Sequence, residues 1–415
     1  MCRKVYYDRE IELTENKDHT KFYCNGQEIK DNKDNNVSAE QEFNFKLKSA
    51  SSKILNRNYK HIIILFGAGA SVVPKSATNS NPDKNYGKVV SMIANDVLKE
   101  LEDGNINRNN SFYSLEKLSK LVNYPGEKIT LENGSINSKA FDLEKFISKL
   151  QMTVSLNNNK KNQKKLQRSL NKIKDIITDD VTYSGESSKF NHAQVLNLMN
   201  ERLSTKEKLC AVTTNYDTVI EDQALNTGFL VVDGFSYSRY PEFDDDLFDW
   251  NFVKTVPFVS TNELIYKDKV LDLLKIHGSI DWFRHESKII RTKNSKSNSR
   301  VMIFPSSNKY MQSYQEPYFE LMSRFQGKLK QANTLLLTIG FSFSDDHIAQ
   351  MVIQALKHNT SLSCLVTDYN ISPEDNKNFD ELVKLKDELG TVAFLGKSLN
   401  AEDSLVNYLG VDDEN

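Results

Sequence analysis

Three short stretches of this 415-residue chain each close an apolar run with residues that can do chemistry: Gly67-Ala-Gly-Ala-Ser71, Asn215-Tyr-Asp217 and His277-Gly278. Glycines directly after a strand permit a tight turn and let backbone amides approach a phosphate near a helix N-terminus. The turn is not the dinucleotide fingerprint, because Val72 occupies the third glycine position, and it lacks the Gly-Lys-Ser/Thr ending of a triphosphatase loop. An Asn and an Asp two residues apart at a strand end point the same way, so an amide that orients a hydroxyl or a water stands beside an acceptor. The same pair also reads as an Asx turn capping a following helix at residues 218–224. Among the 7 histidines, His277 is the one that follows a buried apolar run and precedes glycine. An imidazole titrating near neutrality suits a general base, and equally a hydrogen-bonded core histidine.

Chemistry of this kind needs rigid strand ends. The β-branched run at residues 61–66 suits a strand buried on both faces. Strand character recurs at residues 209–213, 229–232, 270–276, 301–304, 334–339, 362–367 and 391–395, with helical segments between them, including 318–330 and 346–357. Alternating strand and helix predicts an α/β fold with a mostly parallel sheet. Such sheets bind ligands at the carboxyl ends of their strands. From residue 87 to 209 the texture is helical: Val89, Val90, Ile93, Val97 and Leu101 fall at helical spacing, as do Phe141, Leu143, Phe146, Ile147 and Leu150. Residues 105–110 and 124–138 carry loop chemistry, as does the Ser/Asn/Lys-rich run 292–300. The lysine-rich stretch 157–168 reads as the solvated face of a helix whose Leu166, Leu170, Ile173 and Ile177 point inward, with phosphate-backbone binding as the functional alternative.

Residues 1–58 form an N-terminal extension and a candidate assembly element. Alternation at 10–14 and 21–24 and the Asn25-Gly26 turn signal predict short strands there, followed by a polar linker at 31–36. The α/β domain is expected over 59–410 with a helical insertion at about 88–208, and 411–415 is an acidic tail. Lys and Arg number 54 against 56 Asp and Glu, so the net charge of -2 does not call for nucleic acid or an anionic membrane. No carboxylate cluster at catalytic spacing points to a nuclease metal site. The four cysteines, Cys2, Cys24, Cys210 and Cys364, lie far apart without a C-x-x-C pair, which argues against structural zinc and a disulfide framework. The charged N-terminal residues lack a secretory apolar core and no apolar run nears the roughly 18 residues of a membrane helix, so a cytoplasmic protein is expected.

In this order the motifs resemble the sirtuin signature. The turn Gly67–Ser71 is similar to the family's Gly-Ala-Gly-Ile/Ala-Ser turn, and Thr213-Thr214-Asn215-Tyr216-Asp217 to its Thr-Gln-Asn-Ile-Asp motif. His277-Gly278 resembles Leu-His-Gly, and Gly340-Phe-Ser342-Phe-Ser-Asp345 resembles a variant of the Gly-Thr-Ser turn found in sirtuin-like bacterial proteins. Val72-Val-Pro74 departs from the Pro-Asp-Phe-Arg loop, Thr214 replaces Gln, and residues 281–333 lack the cysteines of the family's zinc module. The resemblance implies a Rossmann-like, sirtuin-like fold with NAD as substrate. Gly67, Ala68, Gly69, Ala70 and Ser71 would then meet the phosphates and the start of the nicotinamide ribose. Thr214, Gly278, Gly340 and Ser342 would complete the nucleotide site, and Asp368 would accept from the adenosine ribose. Asn215 would orient water or ribose, His277 would act as base and Asp217 would read the carboxamide, while Asp346 is expected to be a helix N-cap.

Without the zinc module, water becomes the expected acceptor and NAD glycohydrolase the expected activity. The branch with these features resembles bacterial antiphage effectors that deplete NAD, which implies homo-oligomerisation and an activator in trans such as a HerA-type hexameric DNA-translocating ATPase, through which nucleic acid would be met. A nucleic-acid-directed nuclease or DNA-associated effector, a non-hydrolytic NAD or ADP-ribose sensor, and a deacylase or ADP-ribosyltransferase are the alternatives.

Overall fold

The computed structural model describes residues 2–32, 36–76, 79–82, 87–103, 111–125, 141–157, 159–183, 187–256, 264–292, 300–302 and 317–410. The loops read at 105–110, 126–138 and 293–299, part of the 31–36 linker, residues 303–304 and the acidic tail lie outside these.

Along the chain come β1 (Arg3–Tyr7), β2 (Glu12–Glu15), β3 (Phe22–Cys24), β4 (Gln27–Ile29), α1 (Ala39–Leu55) and β5 (His61–Phe66). A ribbon of β6 (Pro74–Ser76) and β7 (Asn79–Pro82) leads to α2 (Val90–Asp103), α3 (Leu115–Leu121), α4 (Leu143–Leu156), α5 (Lys160–Asp180) and α6 (His192–Asn200). Then follow β8 (Leu209–Thr213), α7 (Val219–Asn226), β9 (Leu230–Val232), a ribbon of β10 (Val253–Thr255) and β11 (Leu264–Tyr266), and β12 (Val270–Lys275). After β13 (Gly278–His285), β14 (Lys288–Arg291) and β15 (Arg300–Met302) come α8 (Tyr318–Leu329), β16 (Thr334–Ile339), α9 (Asp346–His358), β17 (Leu362–Thr367), α10 (Lys377–Leu389), β18 (Val392–Leu395) and a 3-10 turn at Leu405–Tyr408.

The main sheet runs β4-β3-β2-β1-β18-β17-β16-β5-β8-β12-β9. From β18 to β9 every neighbour is parallel, and β1 to β4 continue the sheet antiparallel beyond β18. The central strands are apolar at almost every position because both faces are covered. In β5, Ile63 and Leu65 join the core that also holds Phe325, Val352 and Leu382 of α8, α9 and α10. Ile62, Ile64 and Phe66 face the opposite core, with Leu47 of α1, Leu196 of α6 and Ile220 of α7. The helices α2 to α5 bury their own cluster, which touches the strand ends through Tyr216, Ile280 and Met302.

Register positions the site. Phe66 pairs with both Ile339 and Thr213, and Thr213 pairs with Lys275, so the carboxyl ends of β16, β5, β8 and β12 are level. From β5 the chain moves to β8 on one side and later to β16 on the other. That reversal of strand order marks where an open α/β sheet opens a ligand crevice.

The expected parallel strands and the helices after them are present, with ends shifted by a residue or two. Residues 301–304 were expected in the parallel sheet, but β15 instead pairs antiparallel with β13 in a separate sheet ordered β14-β13-β15. Gly278, at φ +84°, turns the chain out of the main sheet to make it. In the extension, β2, the Asn25-Gly26 turn and β3 agree with the expectation, while β1, β4 and α1 add to it. The α1 signal was present as a capping box: Ser38 caps the helix and Gln41 reaches back to it. Among the described residues no helix is long and apolar enough to cross a membrane.

Candidate functional site

The two glycine turns are built against each other. Gly67 N–H donates to Ile339 O and Gly69 N–H to Gly340 O, both at 2.9 Å. A Cβ on Gly67 would lie 2.5 Å from Gly340 O, and one on Gly340 2.3 Å from Ala70 N, with Gly340 already at φ +61°. Glycines in such a turn are expected to leave their amides free for a phosphate. In the structure the Gly67 and Gly69 amides are paired, and the missing side chains serve to bring the turns after β5 and β16 into backbone contact. The chain after Gly67 forms one 3-10 turn, Ala68–Ser71, and the next helix of the described residues, α2, begins at Val90.

Asn215 and Asp217 close on that turn from the end of β8. The Asn215 amide donates to Gly67 O at 3.0 Å and to Ser71 Oγ at 3.1 Å. Ser71 Oγ donates to Asp217 Oδ2 at 2.8 Å, and Asp217 Oδ1 accepts from Val219 N–H at 3.1 Å. Asp217 therefore makes the helix-start contact of an Asx turn and also faces the site, whereas Asn215 is not used as a cap. Burial pushes the Asp217 carboxyl above the usual carboxylate range, against the pull of Lys275, Ser71 and the Val219 amide.

His277 follows β12, is 5% exposed, and holds Nε2 3.2 Å from Asp345 Oδ2. The other Asp345 oxygen accepts from His347 N–H at 3.1 Å and Ile348 N–H at 3.4 Å, so Asp345 is the N-cap of α9. The cap was expected at Asp346, which instead sits in the first helical turn and accepts from Asn378 Nδ2 at 2.8 Å. The cap belongs one residue earlier because Asp345 has the extended backbone of a residue just outside the helix.

Around these groups lies a cavity of about 480 Å³. Ala68, Gly69, Ser71, Thr214, Asn215, Asp217, His277, Gly340, Ser342 and Asp368 line it, together with Asp345. Of the remaining expected residues, Gly67 accepts from Asn215, Ala70 is buried with its carbonyl on Asn400, and Gly278 packs on β15, where a Cβ would meet Val301 O at 2.2 Å. These three do not line the cavity. The wall opposite the strand ends is apolar and comes from the insertion: Val89, Val90 and Ile93 at α2, Leu143 and Ile147 of α4, and Ile177 and Val181 at α5. Lys88 ties this wall together by pairing with Asp96 at 2.8 Å and with Asp180. A second, polar cavity of about 470 Å³ shares Ser342, Ser344 and Asp368 and continues to Asn370, Asn376 and Lys377. Burial raises the Asp368 carboxyl.

Asn400, Lys275 and Glu221 support the site without being among the residues expected from the sequence. Asn400 donates to Ala70 O at 2.8 Å and Val72 O at 3.0 Å and accepts from Asn191 N–H at 2.9 Å, so a C-terminal segment holds the first glycine turn. Lys275, 1% exposed, donates to the Asp217 carbonyl and to Glu221 Oε1 at 2.8 Å, locking β12 to the Asn-Tyr-Asp loop. Burial outweighs the pull of that ammonium and pushes Glu221 up to about 7. Burial lowers Lys275, but Glu221, Asp281 and Asp217 reverse the effect and leave it above the ordinary lysine value. A lysine at the end of an apolar strand was the signal for the second; an isolated Asn such as Asn400 gives none.

Cys210 and Cys364 are buried in β8 and β17, while Cys2 and Cys24 belong to the N-terminal extension, and all four are free thiols. Among the described residues the carboxylates spaced to hold a metal are Asp244, Asp245 and Asp246, which do not line the cavity.

The arrangement brings one imidazole, several carboxylates and a primary amide to the switch point of a parallel sheet, with a cavity in the size range of small-molecule sites. The chain has no match among curated proteins. The mixed α/β architecture with its mostly parallel sheet is a Rossmann-like, sirtuin-like fold, and residues 209–392, which carry Asn215, Asp217, His277 and Gly340, match the family described as the SIR2-like domain.

Proposed function

We propose that this chain is an NAD glycohydrolase that cleaves the bond between nicotinamide and ribose to give nicotinamide and ADP-ribose. The observation that carries the reading is the convergence of Ser71, Asn215, Asp217 and His277 on one cavity in a chain similar to the SIR2-like domain. Nicotinamide leaves a pyridinium as a neutral base, so the leaving group needs no proton. The site must position the ribose, stabilise its oxocarbenium-like transition state and direct an acceptor. The Asn215 side chain, its amide nitrogen held by Gly67 O and Ser71 Oγ, orients the ribose or a water through its remaining acceptor, Oδ1. Asp217 reads the carboxamide, His277 beside Asp345 takes the proton from the attacking water, and the carboxylates around the cavity favour the cationic sugar. Gly69 and Gly340 border the cavity on the side taken by the phosphates, Gly67 supports that turn from behind through its contact with the Gly340 turn, and Asp368 stands at the polar cavity for the adenosine end.

Residues 281–333 contain no cysteine, so the peptide-holding zinc module of sirtuins has no counterpart there, which favours water as acceptor. The apolar wall of α2, α4 and α5 supports a second reading, transfer to an acyl-bearing acceptor. Product analysis by liquid chromatography separates the two: hydrolysis releases free ADP-ribose without added peptide, and acyl transfer needs an acylated peptide and yields nicotinamide, the deacylated peptide and ADP-ribose that carries the acyl group as an ester.

An unrestrained NAD hydrolase would starve its cell, so the proposal includes control. On the resemblance to antiphage effectors, the chain acts when infection is sensed, as a homo-oligomer and with a partner of the HerA-type hexameric ATPase class. Light scattering of the protein alone and with such an ATPase tests this. A monomer with constant activity would contradict it.

A further inference from the structure

The first three turns of α5 gather cations that the proposed NAD chemistry does not use. From Lys160 to Lys174 the helix has no Asp or Glu. Lys160, Lys164 and Arg168 are exposed and follow one another at intervals of four, which places them in a single file about 12 Å long. Lys161 and Lys165 form a second file beside them, and Lys117 of α3 joins it across the Tyr113 ring: Lys117 Nζ lies 5.2 Å and Lys165 Nζ 4.6 Å from the ring centre. Among the described residues, Lys160, Lys161, Lys164 and Arg168 meet no carboxylate. Burial first, then the like charges of Lys117 and Lys161, lowers the Lys165 ammonium below its ordinary value.

This arrangement works against the helix. Like charges at i,i+4 repel, and cations at a helix N-terminus oppose the macrodipole. The apolar residues Leu166, Leu170 and Ile173 are buried inward, so the helix offers the surface charge but no greasy face of its own. Bare, evenly spaced cations without an inserting apolar face fit a polyanion rather than a membrane surface. We propose that these turns of α5, with Lys117, form a docking surface for the phosphate backbone of a nucleic acid. Twelve ångströms spans about three to four phosphates of one strand. The other end of α5 carries Ile177 and borders the NAD cavity, so one helix joins the two surfaces.

The test is fluorescence anisotropy of a labelled random-sequence duplex titrated with the full chain at salt concentrations between about 50 and 200 mM. Wild type should bind with an affinity that falls steeply with salt. K160Q/K164Q/R168Q should bind at least about tenfold more weakly and lose about three from the slope of log affinity on log salt. K164Q alone should show part of the same change, which covers failure of the triple variant to fold. Equal binding by wild type and variants, no duplex binding at the lowest salt, or binding restricted to phosphatidylserine vesicles would overturn the proposal. None of these outcomes depends on NAD turnover.

Discussion

Asp217 and Asp345 each hold a helix start with one carboxylate oxygen and turn the other toward the cavity or His277. Such double use explains why the capping reading of Asn215 and Asp217 could not be separated from the functional one in sequence alone. Cap and charge can be separated by substitution at Asp345. Asp345→Asn keeps a good N-cap and removes the charge beside His277, so stability should change by less than about 0.5 kcal/mol while NAD turnover falls about tenfold or more. Equal turnover would detach Asp345 from the chemistry. Glu221 carries a pH prediction. Its folded value, about 7, lies above the ordinary 4.5, so the folded state binds the proton more tightly. The stability this contributes is fully present below pH 4.5 and is lost as pH rises through 7. Glu221→Gln should therefore flatten the decline in urea-unfolding free energy across that window; an unchanged slope would show that another group titrates there.

The strands were legible because their apolar runs are unbroken: His61–Phe66, Leu209–Thr213, Thr334–Ile339 and Leu362–Thr367 begin and end where the composition changes. The glycine turns were legible as turns but not in their purpose. Nothing in Gly67 or Gly340 announces that the two lie in backbone contact, since that depends on β5 and β16 being neighbours in register. Gly340→Ala should accordingly cost about 2 kcal/mol or more, from the φ +61° backbone and the clash with Ala70 N. Chemical denaturation reads this directly, and a cost below about 0.5 kcal/mol would mean the two turns can part freely. Likewise β13 to β15 were missed as a ribbon because their pairing requires the left-handed turn at Gly278, and Lys275 was missed because a buried lysine is identified by its partners.

At the scale of the molecule, the extension is part of the sheet rather than an appendage. β1 covers the edge of β18, Tyr7 stacks on Phe394 at 4.5 Å, and α1 seals the core beneath. Deleting residues 1–58 would expose that edge and remove Leu47 and Ile54 from the core. Size-exclusion chromatography should show an aggregated or unfolded deletion product; a monodisperse product with native melting would contradict an integral role for the extension. The insertion has a different place, since α2 to α5 keep a core of their own and supply the apolar wall facing the strand ends. The sheet thus brings the polar groups and the insertion supplies the apolar boundary, and in the proposed function the two together hydrolyse NAD. The most direct measurement is chromatographic product analysis of NAD incubated with the protein, alone and with a HerA-type ATPase, wild type beside His277→Ala and Asn215→Ala. Wild type should release nicotinamide and free ADP-ribose, with rates lower by about 10² to 10⁴ in each variant; intact NAD with and without the ATPase, or equal turnover in the variants, would contradict NAD hydrolysis at this site.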